Sequence, residues 1–125
     1  MGIGFNTQFY IANEIIIGDD CKLSEDCILR GYSGHPLDPE ARKANLPDDI
    51  AGLSPIVLEN NVWLGHGVKV NPGVRIGENS VIATGSIVTK NIPANVVAAG
   101  IPAKVVKHIG GVSRVRSSTC YTQTD

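Results

Sequence analysis

The sequence predicts an all-β fold in which the chain winds into a parallel β-helix of six-residue repeats. Between residues 58 and 93, one position of every repeat is aliphatic, and its occupants are Leu58, Leu64, Val70, Ile76, Ile82 and Val88. Four places after each of them comes a second inward position, which holds Val62, Val68, Val74, Ser80, Ser86 and Ile92. Because side chains two apart in a strand point to one face, the two positions together predict the buried side of a short strand.

The residue before each second inward position is always glycine or asparagine. This position holds Asn61, Gly67, Gly73, Asn79, Gly85 and Asn91. These two residue types tolerate the left-handed backbone conformation most readily, so we expect a turn with positive φ at each of them. A short strand and a turn that recur at a fixed spacing are typical of a β-helix.

The period also predicts which residues stack. If three repeats complete one turn of the coil, Leu58 packs against Ile76 and Leu64 against Ile82, at the strand spacing of about 4.8 Å. The period does not determine the hand of the coil, and crossover connections between parallel strands are right-handed in about 98% of cases. Because so short a coil leaves its sides and ends exposed, we expect it to oligomerise.

A weaker form of the repeat runs through the start of the chain. Its aliphatic position holds Ile11, Ile17, Leu23 and Leu29, its second inward position holds Ile15, Cys21 and Cys27, and its turn holds Asp20 and Asp26. Phe5 and Phe9 fit a first, degraded unit. The pattern predicts that Cys21 and Cys27 are small buried hydrophobic residues rather than a disulfide or a zinc pair. We expect Cys120, in a polar segment, to be an exposed free thiol.

The period breaks between Leu29 and Leu58, where we predict an inserted loop over residues 31–56 with a helical turn at residues 40–43. Long inserts in regular solenoids are usually functional or disordered.

A Pro- and Gly-marked stretch follows Ile92, and residues 103–109 predict a strand or short helix that forms a C-terminal cap. We therefore expect one β-helix domain over residues 1–109. Residues 110–125 are rich in Ser, Thr and Gly and predict a disordered tail.

Composition narrows the classes of partner. The 125 residues suit one domain, and their formal net charge is -1 at pH 7. Such a charge favours neither nucleic acid nor an anionic membrane surface as a partner. No apolar run approaches the ~20 residues of a membrane span, and no charged-then-apolar leader opens the chain. We expect a cytoplasmic protein.

Several segments resemble a known family, the hexapeptide-repeat acyltransferases. The resemblance lies in the repeats themselves and in the segments 85–93 and 99–107, which read GSIVTKNIP and AGIPAKVVK. Within that family the segment 33–39, SGHPLDP, is similar to the galactoside and maltose O-acetyltransferases. The resemblance implies a left-handed coil, acetyl-CoA as co-substrate, and a homotrimer whose active sites lie between subunits.

The resemblance also implies that His35 is the catalytic general base. In the similar family this histidine takes a proton from a sugar hydroxyl as that oxygen attacks the thioester of acetyl-CoA. Histidine suits the role because it titrates near neutrality. Pro36 favours an extended backbone at His35, which helps to orient the imidazole. The alternative is an ordinary loop histidine.

By the same resemblance, a set of residues lines the coenzyme A groove. They are Trp63, Gly65, His66, Thr84, Gly85, Thr89, Lys90, Pro102, Lys104 and Lys107. The lysines are expected phosphate partners, Pro102 is expected against the adenine, and the turns around the two glycines are expected to hold the pantetheine arm.

Some members of this set have simpler alternatives. Trp63 could be a packing residue at a subunit contact, and Lys107 a solvated lysine. His66 and Thr84 stand where relatives often carry other residues, which predicts that they contact the coenzyme through the main chain.

The acceptor side matches the family less closely. Asn6 is the one candidate for acceptor binding, because other acceptor residues of the family are replaced here, and we expect the N-terminal extension of the family to be absent. The resemblance implies O-acetylation of a sugar or saccharide hydroxyl, with a small-molecule acceptor of unassigned identity. Two alternatives stay open: transfer to an antibiotic or amino sugar, and a truncated coil that serves as an inactive scaffold.

A metal-dependent hydratase is a further alternative, because the gamma-type carbonic anhydrases share this coil. They hold zinc with three histidines. The three histidines here are His35, His66 and His108, and no pair of them has a short ligand spacing. We expect no metal site.

Overall fold

Short strands joined by tight corners make up most of the computed structural model, which describes residues 1–48, 50 and 52–109. The strands in this part of the chain are β1 (Gly2–Ile3), β2 (Gln8–Tyr10), β3 (Ile15–Ile17), β4 (Lys22–Leu23), β5 (Ile28–Arg30), β6 (Ile56–Leu58), β7 (Trp63–Leu64), β8 (Lys69–Val70), β9 (Arg75–Ile76), β10 (Val81–Ile82), β11 (Ile87–Val88), β12 (Val96–Gly100) and β13 (Ala103–His108). The helix α1 spans Pro39–Lys43.

The strands form the three faces of a parallel coil. One sheet has the order β1-β4-β7-β10-β12-β13, the second β2-β5-β8-β11, and the third β3-β6-β9. Every third strand is thus a neighbour, so three strands complete one turn. The register pairs Leu58 with Ile76 and Leu64 with Ile82, which confirms the predicted stacking.

The interior of the coil is the predicted aliphatic column. All six residues of the first inward position between residues 58 and 93 are 0% exposed, and none of the second inward position exceeds 6%. Cys21 and Cys27 are buried in the same core as free thiols, as predicted. Burial raises the pKa of the Cys27 thiol, which keeps it neutral. Cys120 lies outside the described residues.

The corners have the left-handed backbone that the sequence predicts, with one exception. Asn61, Asn79 and the three glycines of the turn position have positive φ, but Asn91 does not. Ile92 forms only an isolated bridge to Ile76 before Pro93 follows, so the chain leaves its period here. The corner residue of the last turn is therefore Asn95, with φ 60°.

The first turn also differs from the expectation. Phe9 packs on the core as predicted, but Ile11 is 58% exposed and Phe5 is 83% exposed. Phe9, and not Ile11, pairs with Leu29, and the next residue in the aliphatic position is Ile17, which pairs with Leu58. Phe9 and Ile17 are eight apart where the repeat requires six, so the corner at Ile11 is longer and projects its side chain outward.

The insert leaves the coil after β5 and returns at β6. Its helical turn is confirmed as α1, and the Asp38 carboxylate caps it by accepting a hydrogen bond from the Ala41 amide at 2.8 Å. No residue of α1 is buried, so packing contributes little to this helix. Ile56, which the prediction placed in the insert, belongs to β6.

The C-terminal cap is a strand. β13 pairs antiparallel with β12 and forms a hairpin at the edge of the first sheet. Residues 110–125 lie outside the described part of the chain, so the predicted boundary at residue 109 and the predicted tail stay predictions.

Candidate active site

His35 lies exposed in the insert between β5 and α1. The residue before it, Gly34, has φ 102°, and its amide donates a hydrogen bond to the Asp48 carboxylate at 2.9 Å. On the other side, Arg42 donates a hydrogen bond to the carbonyl oxygen of Leu37 at 2.9 Å. Side chains of the insert therefore hold the backbone both before and after the histidine.

A cavity of about 270 Å³ lies in the same insert and is lined by Ser33, Pro36, Leu37, Asp48 and Leu53. Its lining includes residues on both sides of His35 in the chain. A hydrogen bond links the wall of the cavity to the coil, because the Asn13 side-chain amide donates to the carbonyl of Leu53 at 2.6 Å. Small-molecule sites usually begin at about 300 Å³, so this cavity has room for a ligand group about the size of one ring.

A second, smaller cleft of about 80 Å³ is lined by Thr89, Lys90, Pro102, Ala103 and Lys104. Four of these five are predicted coenzyme residues, so the structure brings together the end of β11 and the tip of the β12–β13 hairpin. The two lysines place a pair of positive charges on a cleft of phosphate size, which is the chemistry that a nucleotide phosphate requires. No residue lines both this cleft and the cavity beside His35.

The predicted residues Gly65, His66, Thr84 and Gly85 lie at successive turns of one corner. The Gly85 amide donates to the His66 carbonyl at 2.8 Å, and the Gly65 amide donates to the Ile82 carbonyl at 2.8 Å. A Cβ atom at Gly65 would lie 2.8 Å from the Thr84 nitrogen, so the stacking of the coil itself requires glycine there. Both glycine amides are used within the coil, and a ligand at this corner would need other partners.

The imidazole of His66 faces two carboxylates. Its Nε2 lies 3.4 Å from Oδ2 of Asp26, and its Nδ1 lies 3.9 Å from Oε1 of Glu25. Asn6 belongs to the same corner, where it has φ 60° and donates to Oδ1 of Asp26 at 2.9 Å. Glu25 and Asp26 place negative charge beside His66, which disfavours an anionic group there. An anionic group is favoured instead at the cleft lined by Lys90 and Lys104, called the lysine cleft below.

Trp63 and Lys107 share the outer face of the six-stranded sheet. The register places Trp63 beside Val81, Val81 beside Val97, and Val97 beside Lys107. Three strand spacings, roughly 14 Å, therefore separate the two residues. Trp63 is 50% exposed, and its indole N–H lies 3.3 Å from the Ser24 hydroxyl, which accepts the hydrogen bond. Neither residue lines the lysine cleft.

Sequence reasoning missed Asp48, Arg42 and Asp26. Asp48 and Arg42 lie in an insert without a period, and Asp48 is 14 residues from the glycine that it contacts. No local pattern relates such a pair. The repeat predicts Asp26 as a turn residue, which it is, with φ 61°. Its position under His66 follows from the stacking of the coil turns.

Two further findings concern the described part of the chain. No group of three His, Cys, Asp or Glu side chains there is arranged to hold a metal ion. The helix in this part is too short to cross a membrane.

Comparisons with known proteins show which proteins the chain resembles. The model of the bacterial transferase hexapeptide (six repeats) matches residues 55–90. The galactoside O-acetyltransferase of Escherichia coli K12 is 45% identical over 105 residues, which are 84% of this chain and 49% of that protein. The chain thus spans about half the length of the curated relatives that it matches.

Solved structures agree with the sequence relatives. The polySia specific acetyltransferase NeuO is 35% identical, with a TM-score of 0.71 over 94% of this chain and 53% of that one. A galactoside acetyltransferase in complex with coenzyme A is 37% identical, with a TM-score of 0.62 over 83% of this chain and 60% of that one. The chain therefore carries the repeats of the bacterial hexapeptide transferases, folds as their left-handed parallel β-helix, and resembles the galactoside and maltose O-acetyltransferase group.

Proposed function

We propose that this chain transfers an acetyl group from acetyl-CoA to a hydroxyl group of a sugar or saccharide, with His35 as the general base. The observation that carries the proposal is the exposed His35, whose chain neighbours Ser33, Pro36 and Leu37 line a cavity of about 270 Å³, in a chain 45% identical over 105 residues to a galactoside O-acetyltransferase. The cavity would receive the acceptor, and the insert would shape it.

The imidazole of His35 would act on the acceptor. In its neutral form it accepts the proton of the hydroxyl group as that oxygen becomes nucleophilic, and it returns the proton to the leaving thiolate. Acetyl-CoA, when bound, supplies the acetyl group as an activated thioester. The exposure of His35 leaves the imidazole accessible to an acceptor in the neighbouring cavity.

The lysine cleft fits the phosphate end of the coenzyme. Lys90 and Lys104 would pair with its phosphates, and Pro102 would lie against the adenine. Glu25 and Asp26 repel phosphate from the region around His66, which supports a single direction for the bound coenzyme.

A homotrimer with shared sites would join the two halves of the proposed site. Within one chain the cleft and the cavity share no lining residue. A complete site then forms when the cleft of one subunit meets the cavity of another. This arrangement is part of the proposal.

The test replaces His35 by alanine and measures thiol release from acetyl-CoA with a panel of sugars, amino sugars and antibiotics. We expect His35→Ala to lower kcat by about 10²–10⁴-fold, because the general base is lost. His108→Ala, on the exposed outer strand β13, is the matched control and should retain activity.

The same assay separates the alternatives. Circular dichroism and the increase in Tm on adding coenzyme A should be the same for His35→Ala and wild type, since fold and coenzyme binding do not depend on the imidazole. Turnover of His35→Ala within a few-fold of wild type would contradict the proposal. Transfer to amines alone would favour the amino-sugar or antibiotic alternative, and the absence of any Tm increase at millimolar coenzyme A would favour the scaffold.

A further inference from the structure

The segment that carries His35 is held by two charged side chains of the insert. Oδ2 of Asp48 accepts a hydrogen bond from the Gly34 amide at 2.9 Å. Nη1 of Arg42 donates to the carbonyl oxygens of Leu37 and Pro36 at 2.9 Å and 3.4 Å. The residues immediately before and after His35 are thus each tied to an ionised group, and hydrogen bonds to ionised groups are stronger than neutral ones.

The backbone at this point needs such support. Gly34 has φ 102°, a conformation that glycine adopts at no steric penalty but that an unfolded glycine readily leaves. A Cβ atom added there would meet nothing within 4 Å, so no neighbouring atoms pack against Gly34 on that side. The hydrogen bond to Asp48 therefore favours this conformation where packing on the Cβ side does not.

The arginine acts from a short, capped helix. Arg42 lies in α1, whose first turn is closed by the Asp38 side chain on the Ala41 amide at 2.8 Å. The guanidinium reaches back along the chain to the carbonyl groups that precede the helix. α1 buries none of its residues, and the Arg42 side chain links the helix to the histidine segment by hydrogen bonds.

We propose that Asp48 and Arg42 are positioning residues that hold the backbone on both sides of His35 and so fix where its imidazole points. The inference rests on the proposed function of His35 as general base. A displacement of about 1 Å in a catalytic group can reduce turnover about 100-fold, so loss of either contact should reduce catalysis without removing the imidazole.

The experiment compares Asp48→Ala with Asp48→Asn. The asparagine oxygen can still accept the Gly34 amide, whereas alanine cannot. We expect Asp48→Ala to lower kcat by about 10- to 100-fold with an unchanged KM for acetyl-CoA, and Asp48→Asn to restore most of that loss. Arg42→Ala should behave like Asp48→Ala, and Arg42→Lys should restore part of the activity. Glu40→Ala, on the same exposed helix, is the control and should leave kcat unchanged.

Combination with His35→Ala distinguishes positioning from general damage. If Asp48 acts through His35, Asp48→Ala should cause no further loss of kcat in the His35→Ala background. Where His35→Ala is itself impaired, an equal loss in both backgrounds would overturn the inference, as would equal losses in Asp48→Ala and Asp48→Asn, or activity of Asp48→Ala within two-fold of wild type.

A readout without catalysis keeps the inference separate from the proposed function. The backbone order parameter of the His35 amide, measured by ¹⁵N relaxation, should fall in Asp48→Ala and stay at the wild-type value in Asp48→Asn. This result would support the positioning even if His35→Ala proved fully active, an outcome that would contradict only the role of His35. An unchanged order parameter in Asp48→Ala would overturn the positioning itself.

Discussion

Asn79 illustrates how single residues stabilise the corners of the coil. It has φ 66°, accepts a hydrogen bond from the Asn61 side chain at 3.0 Å, and donates one to Asn95 at 2.8 Å. Asparagine therefore provides both the left-handed backbone and a link between successive turns. Glycine at the other corners provides only the backbone.

We predict that Asn79→Ala destabilises the protein by about 2 kcal/mol, because alanine in a left-handed conformation costs about 1–2 kcal/mol and two exposed hydrogen bonds are lost. Asn79→Gly loses the same hydrogen bonds without the strain and should be about 1 kcal/mol more stable than Asn79→Ala. Urea-induced unfolding measures both values.

Asn91 provides the matched control, because it occupies the same position of the repeat without positive φ. Its side chain accepts a hydrogen bond from the Arg75 amide at 2.8 Å. Asn91→Gly should therefore be no more stable than Asn91→Ala. Equal stabilities of the alanine and glycine variants at Asn79 would contradict the role of its backbone conformation.

At the scale of whole elements, the C-terminal hairpin depends on two buried serines. Ser80 and Ser86 occupy inward positions where earlier repeats carry valine, and both are buried. The Ser80 hydroxyl donates to the Pro93 carbonyl at 2.6 Å and accepts from the Val96 amide at 3.2 Å. The Ser86 hydroxyl accepts from the Gly100 amide at 3.0 Å. The serines thus satisfy backbone groups that the departing chain leaves outside the strand ladder.

We predict that Ser80→Val destabilises the protein by about 2 kcal/mol, although valine matches the repeat. The substitution leaves the buried Val96 amide without its partner, at a cost of about 1–3 kcal/mol, and also removes the hydrogen bond to the carbonyl of the exposed Pro93. Urea unfolding measures the loss, and hydrogen exchange should become faster at the Val96 amide.

Ser80→Thr is the control, because it keeps the hydroxyl group while adding the methyl group of valine. We expect its stability to lie closer to that of wild type than to that of Ser80→Val. A Ser80→Val variant as stable as wild type would show that packing outweighs these hydrogen bonds.

At the scale of the whole molecule, the proposed site consists of two parts that lie in different regions of the chain. His35 and its cavity belong to the insert, and the lysine cleft belongs to the end of the coil. If the complete site forms between subunits of a trimer, the two halves come from different chains. Two kinds of inactive chain should then complement each other.

We predict that mixing His35→Ala with the double variant Lys90→Ala/Lys104→Ala restores part of the acetyl transfer. Each variant alone lacks one half of every site, whereas mixed trimers contain some interfaces with both halves intact. The two proteins are unfolded together, refolded as a mixture and assayed for thiol release. Mixing wild-type-like His108→Ala with His35→Ala is the control for subunit exchange, and light scattering reports the oligomeric state.

Activity of the mixture no greater than that of its components would contradict a shared site. The double lysine variant should also show a smaller increase in Tm with coenzyme A than wild type, because two phosphate partners are removed. An undiminished increase would place the phosphates elsewhere.

The sequence by itself determined the coil. Inward and outward alternation and the preference of asparagine and glycine for positive φ are local properties, so the stacked columns and most corners could be predicted from a period of six. His35 and the lysines of the cleft followed from resemblance in short segments. The exceptions, Ile11 and Asn91, lie where the period changes and local rules no longer apply.

Only the tertiary structure decided the contacts that arrange the candidate site. The Asp48 carboxylate on Gly34 and the Asn13 side chain on Leu53 join residues that no period relates. The carboxylates beneath His66 come from a turn on the other side of the insert, which stacks on the turn of His66. Such contacts depend on how the insert folds back and how successive turns stack, since a hydrogen bond forms wherever the chain brings two groups to about 3 Å. The period specifies the scaffold, and the path of the chain around it specifies the neighbours of the catalytic candidate.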